Sequence, residues 1–455
     1  MRKKFFMVAA MALLGVLGAS SLQAQAPEQP ATQDSKPSIE SLEQRSKAAF
    51  AAGDAVTAYD ANLQLHELRP YKGEYMYDIV RAAALQDRKS EAYEMMLKMQ
   101  RQGMSYDFNQ TEDTLNIRRT EVYRYLNDVM VETGKPAGEG TVAFRLPGDP
   151  SDFQAIAWDA SRNRFLVGTA AKGEVLAVGE DGAADVLLQA NGGNGMWSVN
   201  GLAADVERNR LWISSAATPK FAGFGPALSN QGALFEFNLE TLELVKQYFQ
   251  PIDSLPHELG GLTVTDDGHV YVFDRALPIV YRKTPDGDRL EAFVGSKELA
   301  SFSDIAVTPD NSRLFVADRV KGVFVVDPVA EQAAMLTGAD DLNLGGIEGI
   351  EYTAGELVIV QPGFQPQRLM RLKLAANGSV VETAEPMAVA LAEYDGPGVG
   401  AIREGALFYF ANARTTAEDS RSELLVMRTP LDSGEVIVPP EMRKFQQSLK
   451  ERQKQ

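Results

Sequence analysis

Polar and charged side chains recur at corresponding positions of six similar segments in this 455-residue chain. The residues that open these segments are Gln154, Asn200, Gly260, Asp304, Glu348 and Val399. The residues that follow the next apolar strand include Lys172, Lys220, Asp274–Arg275, Asp318–Arg319, Gln361 and Asn412–Arg414. Carboxylates and amides of the first set can hydrogen-bond a ligand or the wall of its site. The Asp–Arg pairs of the second set can clamp an anionic ligand, or they can form salt bridges between segments.

Several common kinds of catalytic site are excluded by composition. The chain has no cysteine, and therefore no disulfide, thiol nucleophile or thiolate metal site. It has three histidines: His66 in a helical region, His257 just before an opening residue, and His269 in a turn. No G-x-S-x-G elbow, H-E-x-x-H helix or phosphate-binding glycine loop occurs. Trp197, His257, Glu258 and Asp395 precede opening residues and can reach the same place.

The segment FSDIAVTPDNSRLFVADRVKGVFVVDP, residues 302–328, shows how these side chains are positioned. It predicts strands at Ser303–Val307, Arg313–Ala317 and Gly322–Val326, because β-branched and aromatic runs alternate with turn residues. Related segments recur, and successive opening residues are 46, 60, 44, 44 and 51 positions apart. That spacing is typical of four-stranded propeller blades. We therefore predict a mainly β fold, with a six-bladed β-propeller at residues 138–438.

The predicted propeller brings the polar residues together. The loops that enter the innermost strands and the loops that leave the second strands lie on one face, around the central channel. We call this face the mouth. A propeller usually completes one blade with strands from both ends of the chain. Thr141–Arg145 and Glu435–Val438 are the candidates for that closing role.

A helical region precedes the propeller, at residues 38–135. Ala49–Asp54 and Ala58–Tyr59 are matched 34 residues later by Ala83–Arg88 and Ala92–Tyr93. This repeat predicts a tetratricopeptide-like domain of paired helices, and a plain helical bundle packed on the propeller is the alternative. A third, degenerate unit is expected at Gln110–Val131, where apolar residues keep helical spacing.

The two ends of the chain carry different patterns. Residues 1–24 combine Arg2, Lys3 and Lys4 with an apolar run and a small-residue end, which predicts a signal peptide. Residues 25–37 read as a linker and residues 439–455 as a polar C-terminal tail. The net charge of −17 becomes −20 when the three basic residues of the leader are removed. So acidic a protein does not favour nucleic acid, and we expect a periplasmic or secreted protein with no membrane span.

The motifs NGLAAD…NRLWIS (residues 200–214) and SDIAVTPDNSRLFVAD (residues 303–318) resemble the gluconolactonase-like propellers. That class includes regucalcin, strictosidine-synthase-like and NHL-type relatives, and the resemblance extends over about residues 150–430. It implies a divalent cation, commonly Ca²⁺, in the channel. The residues it assigns as ligands are Asn200, Asp304, Glu348 and Gln154. This chain departs from the family pattern at Gln154, where the family has a glutamate, and at Gly260, the position of a second family asparagine.

Two functions follow as expectations. The first is an exported binding or scaffold protein, whose helical repeats engage a protein or peptide while the mouth binds a small molecule without turnover. The alternative, implied by the resemblance, is a calcium-dependent lactonase or esterase, with Asp304 as first and His257 as second catalytic candidate. The residues we expect to bind a ligand are Trp197, Asp274, Arg275, Asp318, Arg319, Gln361 and Arg414.

Overall fold

The computed structural model describes residues 37–251, 255–295, 301–413 and 422–433. The predicted signal peptide, most of the linker, the C-terminal tail, Arg414 and the Glu435–Val438 candidate strand lie outside these ranges. In the described part of the chain, no helix is both long and apolar enough to cross a membrane.

The helical region forms five α-helices. They are α1 (Ile39–Ala51), α2 (Ala55–Leu68), α3 (Gly73–Leu85), α4 (Lys89–Arg101) and α5 (Glu121–Thr133), with short 3-10 turns at Phe108–Gln110 and Glu112–Thr114. Helices α1 and α3 begin 34 residues apart, and so do α2 and α4. Consecutive helices pack against each other. The predicted helical repeat is therefore present, while its assignment to the tetratricopeptide class stays a prediction.

Six antiparallel sheets form the blades of the propeller, as predicted. Two strands, β1 (Ala137–Gly138) and β2 (Thr141–Pro147), precede the first complete blade. Blade 1 consists of β3 (Phe153–Asp159), β4 (Arg164–Thr169), β5 (Glu174–Val178) and β6 (Ala184–Gln189). Blade 2 consists of β7 (Ser198–Asp205), β8 (Arg210–Ala216), β9 (Gly232–Asn238) and β10 (Leu244–Phe249). Blade 3 consists of β11 (Leu259–Val264), β12 (Val270–Asp274), β13 (Ile279–Lys283) and β14 (Glu291–Gly295).

The remaining blades follow the same order. Blade 4 consists of β15 (Phe302–Val307), β16 (Leu314–Asp318), β17 (Gly322–Asp327) and β18 (Gln332–Met335). Blade 5 consists of β19 (Gly349–Thr353), β20 (Glu356–Gln361), β21 (Arg368–Leu374) and β22 (Val381–Val389), with β1 as a fifth strand. Blade 6 consists of β23 (Gly400–Arg403), β24 (Ala406–Phe410), β25 (Glu423–Pro430) and, at its outer edge, β2.

The innermost strands β3, β7, β11, β15, β19 and β23 contact one another in sequence around a ring, and β23 contacts β3. Strand β2 closes this ring by pairing with β25 in the register Thr141↔Arg428 to Pro147↔Glu423. The closing role expected of Thr141–Arg145 is therefore confirmed. Buried side chains of neighbouring blades pack against each other in layers, as in the group of Phe165, Phe408 and Val426 between blades 1 and 6.

The helical region is anchored to blade 5 by the loop between β20 and β21. Phe364 of that loop is 2% exposed and packs inside the helical core, beside Met99 and Met104. The guanidinium of Arg368 lies 3.6 Å from the centre of the Phe364 ring and donates to the carbonyl oxygen of Gln102 at 3.1 Å. Burial lowers the pKa of Arg368 to about 9, so it remains charged at neutral pH. The Phe364 ring thus makes an apolar contact between the two regions, and Arg368 adds a charge-assisted hydrogen bond beside it.

We expect Phe364→Ala to lower the free energy of unfolding of the helical region by about 3–5 kcal/mol, because it empties a filled apolar site. Urea unfolding followed by the circular dichroism of the helices measures this loss. Phe249→Ala is the matched control, since the Phe249 side chain is 53% exposed. Equal losses in the two variants would show that Phe364 does not anchor the helices.

Candidate functional site

A cavity of about 470 Å³ opens at the mouth of the propeller. Its wall is built by loops that enter innermost strands, by loops that leave second strands, and by the turn between α2 and α3. Predicted site residues Gln154, Arg275, Arg319 and Glu348 all line it. The propeller thus brings together side chains that lie up to 194 positions apart in the sequence, from Gln154 to Glu348.

Two buried aspartates shape the loops that carry the arginines. Asp274 ends β12, and its Oδ1 accepts hydrogen bonds from the backbone N–H groups of Ala276 (2.9 Å) and Leu277 (3.1 Å). Asp318 ends β16 and accepts from Val320 (2.9 Å) and Lys321 (3.0 Å) in the same way. Each aspartate fixes the turn that follows its strand, and the adjacent Arg275 or Arg319 lines the cavity. The aspartates hold loops, and the arginines are the groups available to a ligand.

Arg319 is paired with Glu348 across the boundary between blades 4 and 5. Its Nε and Nη2 donate to the two carboxylate oxygens of Glu348 at 2.5 and 2.6 Å. Its Nη1 donates to the carbonyl oxygen of Phe302 at 3.2 Å. Burial lowers the pKa of Arg319, but the hydrogen bonds and the charge of Glu348 outweigh it and leave the pKa raised. The guanidinium is therefore charged and held in one orientation.

Arg275 reaches across the mouth. Its Nη1 donates to Oε1 of Gln154 in blade 1 at 3.2 Å and lies 3.6 Å from Oε1 of Glu258. Gln154 is held in turn, because its Nε2 donates to the carbonyl oxygen of Ser151 at 2.7 Å. Burial lowers the pKa of Arg275, opposed by the charge of Glu258. A bridge from blade 3 to blade 1 thus spans the opening of the channel.

Two carboxyl groups lie on the innermost strands and are not among the residues that line the cavity. Asp304 on β15 accepts a hydrogen bond from the backbone N–H of Ile350 at 2.9 Å, and a Cβ added to Gly261 would come within 3.1 Å of its Oδ1. Burial raises the pKa of Asp304 to about 7, although hydrogen bonds from the backbone and the charge of Arg275 act to lower it. Burial also raises the pKa of Glu351 on β19 well above its usual value, and the charge of Asp304 adds to this. Both acids therefore hold protons more readily than exposed carboxyls.

The four residues assigned as calcium ligands are already engaged. Glu348 pairs with Arg319, Gln154 accepts from Arg275, and Asp304 accepts from a backbone amide. Asn200 is buried, and its Nδ2 donates to the carbonyl oxygen of Leu259 at 2.8 Å. Two guanidinium groups among these oxygens repel a cation, so this arrangement does not fit Ca²⁺. In the ranges described above, no three histidine, aspartate or glutamate side chains come together as metal ligands.

Other predicted site residues lie away from the cavity wall. His257 is buried, with its Nδ1 2.7 Å from Oδ2 of Asp274 and 3.2 Å from the Tyr281 hydroxyl. The Trp197 ring packs edge-on against Phe235. Gln361 is fully buried and donates to the carbonyl oxygens of Asn343 and Gly345. In this structure their contacts support loops and blade packing.

Two residues of the cavity wall come from the helical region and have no counterpart among the sequence predictions. Tyr71 is buried against blade 5: a Cβ added to Gly345 would lie 2.5 Å from the Tyr71 Cβ. Lys72 follows it along the cavity wall. Helix α3 begins at Gly73, and no side chain caps its first turn, so the positive end of its dipole lies beside Lys72. The sequence carries no signal for this placement, because Tyr71 and Lys72 read as an ordinary turn between helices.

No protein-family profile matches the chain, and no curated protein matches it. Three of the solved structures that match the chain, all at low sequence identity, are the following. A nidogen–laminin complex shares 11% identity over 50% of this chain and 77% of the matched chain, with a TM-score of 0.39. The PQQ-bound aldose sugar dehydrogenase of Streptomyces coelicolor shares 15% identity over 64% of this chain and 99% of the matched chain, with a TM-score of 0.42. A protein of unknown function from Bacteroides thetaiotaomicron shares 18% identity over 45% of this chain and 56% of the matched chain, with a TM-score of 0.35. These similarities are too distant to bear on the ligand or the activity of this chain.

The raised pKa of Asp304 makes a prediction about pH. In the unfolded chain Asp304 loses its proton near its ordinary pKa of 3.8, but in the folded protein it keeps the proton to about pH 7. The folded state therefore binds more protons between these values, and its stability falls as pH rises through them. We expect the unfolding free energy of the wild type, relative to D304N, to decrease from about pH 4 to about pH 7 and then level off.

Urea unfolding at a series of pH values measures this difference. D310N is the matched control, because hydrogen bonds from Ser312 and Thr308 lower the pKa of exposed Asp310. The unfolding free energy of the wild type relative to D310N should instead increase as pH rises. That increase should fall at a lower pH than the change seen with D304N. A wild-type to D304N difference that stays constant from pH 4 to 7 contradicts the assignment.

Proposed function

We propose that the mouth of the propeller binds a small anionic ligand and that the protein acts by binding, without turnover. One observation carries this proposal. Among the described residues that line the cavity, three are cations, Lys72, Arg275 and Arg319, and one is a carboxylate, Glu348. The chain as a whole has a net charge of −17, so this local excess of positive charge is opposite to that of the protein.

The physical basis is a preorganised pair of guanidinium groups. Asp274 and Asp318 fix the loops, and Glu348 and Gln154 fix the side chains, so a ligand orders little when it binds. A guanidinium has five N–H donors. Arg319 donates to Glu348, Ser301 and Phe302, which leaves one N–H for a ligand, and Arg275 donates to Gln154, which leaves more. The partly enclosed cavity strengthens these contacts relative to bulk water. A carboxylate is the simplest ligand that uses this arrangement.

The helical region is proposed to engage a protein or peptide partner. Its support is the repeat itself, since stacked helical pairs commonly present extended binding surfaces. On the last helix, Val122 and Val131 are 52% and 38% exposed, which places apolar side chains on its surface. Export to the periplasm or the medium is proposed from the leader-like composition of residues 1–24.

A calcium-dependent lactonase or esterase remains the second proposal, and one observation favours it. Asp304, with a pKa of about 7, is suited to take a proton from water near neutral pH. The engaged oxygen atoms and the two arginines count against the cation that this reaction requires. Calcium titration followed by a lactone and ester screen separates the two proposals.

We expect the protein to bind at least one member of a set of acetate, succinate, citrate and phenylacetate saturably. Isothermal titration calorimetry in a carboxylate-free buffer measures this. R275Q and R319Q should each weaken binding roughly ten- to hundredfold, because each removes charge-assisted hydrogen bonds. R289Q is the matched control, since the Arg289 side chain is 76% exposed and pairs with Glu291 outside the cavity.

The proposal is overturned if none of the four anions binds, or if R275Q and R319Q bind as tightly as R289Q. R319Q leaves Glu348 without its partner and can therefore destabilise the fold. If it does, the binding measured with R275Q alone tests the proposal.

A further inference from the structure

The wall of the mouth cavity has two unlike sides. The cations Arg275 and Arg319 belong to blades 3 and 4. The apolar residues Phe153, Val399 and Ala413 belong to blades 1 and 6. In a closed ring of six blades, blade 6 stands opposite blade 3 and blade 1 opposite blade 4. The blades that carry the apolar residues therefore stand opposite the blades that carry the arginines, and the Arg275 side chain reaches across the mouth to Gln154 of blade 1.

The difference between the cationic and the apolar side arises at equivalent positions of the repeats. Blades 3 and 4 carry Arg275 and Arg319 directly after the aspartates that fix the loops. Blade 6 carries Asn412 at that place, where its Oδ1 accepts from the backbone N–H of Leu425 at 2.8 Å, and the residue after it is Ala413. Among the described residues, blade 6 therefore has an amide that binds β25 at this place, followed by a methyl group where blades 3 and 4 have a cation.

The opening position of blade 6 shows the same change. Gln154, Asp304 and Glu348 open their blades with polar side chains, whereas blade 6 is opened by Val399. Val399 and Ala413 are partly exposed and line the cavity, and the buried rings of Phe153 and Phe410 support them. When a ligand covers an apolar surface of the cavity, that surface is removed from water, which stabilises the complex.

We infer that the ligand is an amphipathic carboxylate, with an anionic head and a compact apolar body such as a phenyl ring. This inference rests on the anion-binding function proposed above and specifies the class of ligand. The head contacts Arg275 and Arg319, with Lys72 beside them. The body lies against Val399 and Ala413. A cavity of about 470 Å³ is of the size that small-molecule ligands occupy.

The inference is tested with three probes that separate head from body. Phenylacetate has both parts, acetate has the head alone, and 2-phenylethanol has the body without the charge. In calorimetric titrations we expect phenylacetate to bind at least about tenfold more tightly than acetate, as burial of an aromatic ring predicts. We also expect it to bind at least about tenfold more tightly than 2-phenylethanol, because the alcohol lacks the charge-assisted contacts.

A variant locates the apolar contact. V399S should weaken phenylacetate binding severalfold and leave acetate binding unchanged, because it places a hydroxyl group where the ring lies. V329S is the matched control, since the Val329 side chain is 90% exposed. If V399S does not fold, A413S tests the same side of the cavity with a smaller change.

The outcomes separate this inference from the proposed function. If acetate binds as tightly as phenylacetate and R275Q weakens both, the mouth is an anion site and the inferred ligand class is wrong. The inference is also wrong if V399S or A413S weakens acetate and phenylacetate equally. If succinate or citrate binds and phenylacetate does not, the inferred ligand class is wrong and the anion site stands. If none of acetate, succinate, citrate and phenylacetate binds, or R275Q changes nothing, the proposed function itself fails.

Discussion

The pairing of β2 with β25 closes the propeller and determines where every blade stands. Without β2, blade 6 would have three strands, and the pairing from Thr141↔Arg428 to Pro147↔Glu423 supplies the fourth from the other end of the propeller sequence. Only a closed ring places blade 1 beside blade 6 and opposite blade 4. The bridge from Arg275 to Gln154, and the position of the apolar residues on blades opposite those of the arginines, both follow from this closure. The site is therefore a property of the whole ring.

Within the ring, polar side chains at the mouth join neighbouring parts of the wall. Asn200 donates to the carbonyl oxygen of Leu259, which joins blades 2 and 3. Glu348 binds Arg319 between blades 4 and 5, and Asp304 accepts from Ile350 at the same boundary. These contacts satisfy groups that are costly to bury unpaired. The contact with Glu348 also holds the guanidinium of Arg319 in place for a ligand, as Gln154 holds that of Arg275.

The sequence was sufficient to predict the architecture and insufficient to predict the roles of single side chains. Strands such as Phe302–Val307 and Leu314–Asp318 could be predicted because β-branched runs and turn residues are local signals. The convergence of Gln154 and Glu348 followed from the repeat. The direction of an arginine side chain is set by tertiary contacts, so the sequence could not show that Arg275 spans the mouth. Tyr71 enters the cavity wall only because α2 and α3 pack on blade 5.

Glu351 was not predicted from the sequence, although the sequence carries a signal for it. It follows Ile350 in an innermost strand, where alternation turns one side chain toward the channel and the next toward the blade. A carboxyl group at a channel position beside Asp304 is unusual enough to be noticed. The pairing of two acids there could have been predicted from the register of the repeats, although their raised pKa values depend on burial that only the fold supplies.

The most direct test of this binding mode is a crystal structure of the protein soaked with 4-bromophenylacetate, with the bromine located by its anomalous scattering. We expect the carboxylate within hydrogen-bond distance of Arg275 or Arg319, and the bromine on the side of Val399 and Ala413. A bromine peak outside the mouth cavity, or a ligand with its carboxylate toward Val399, would contradict it.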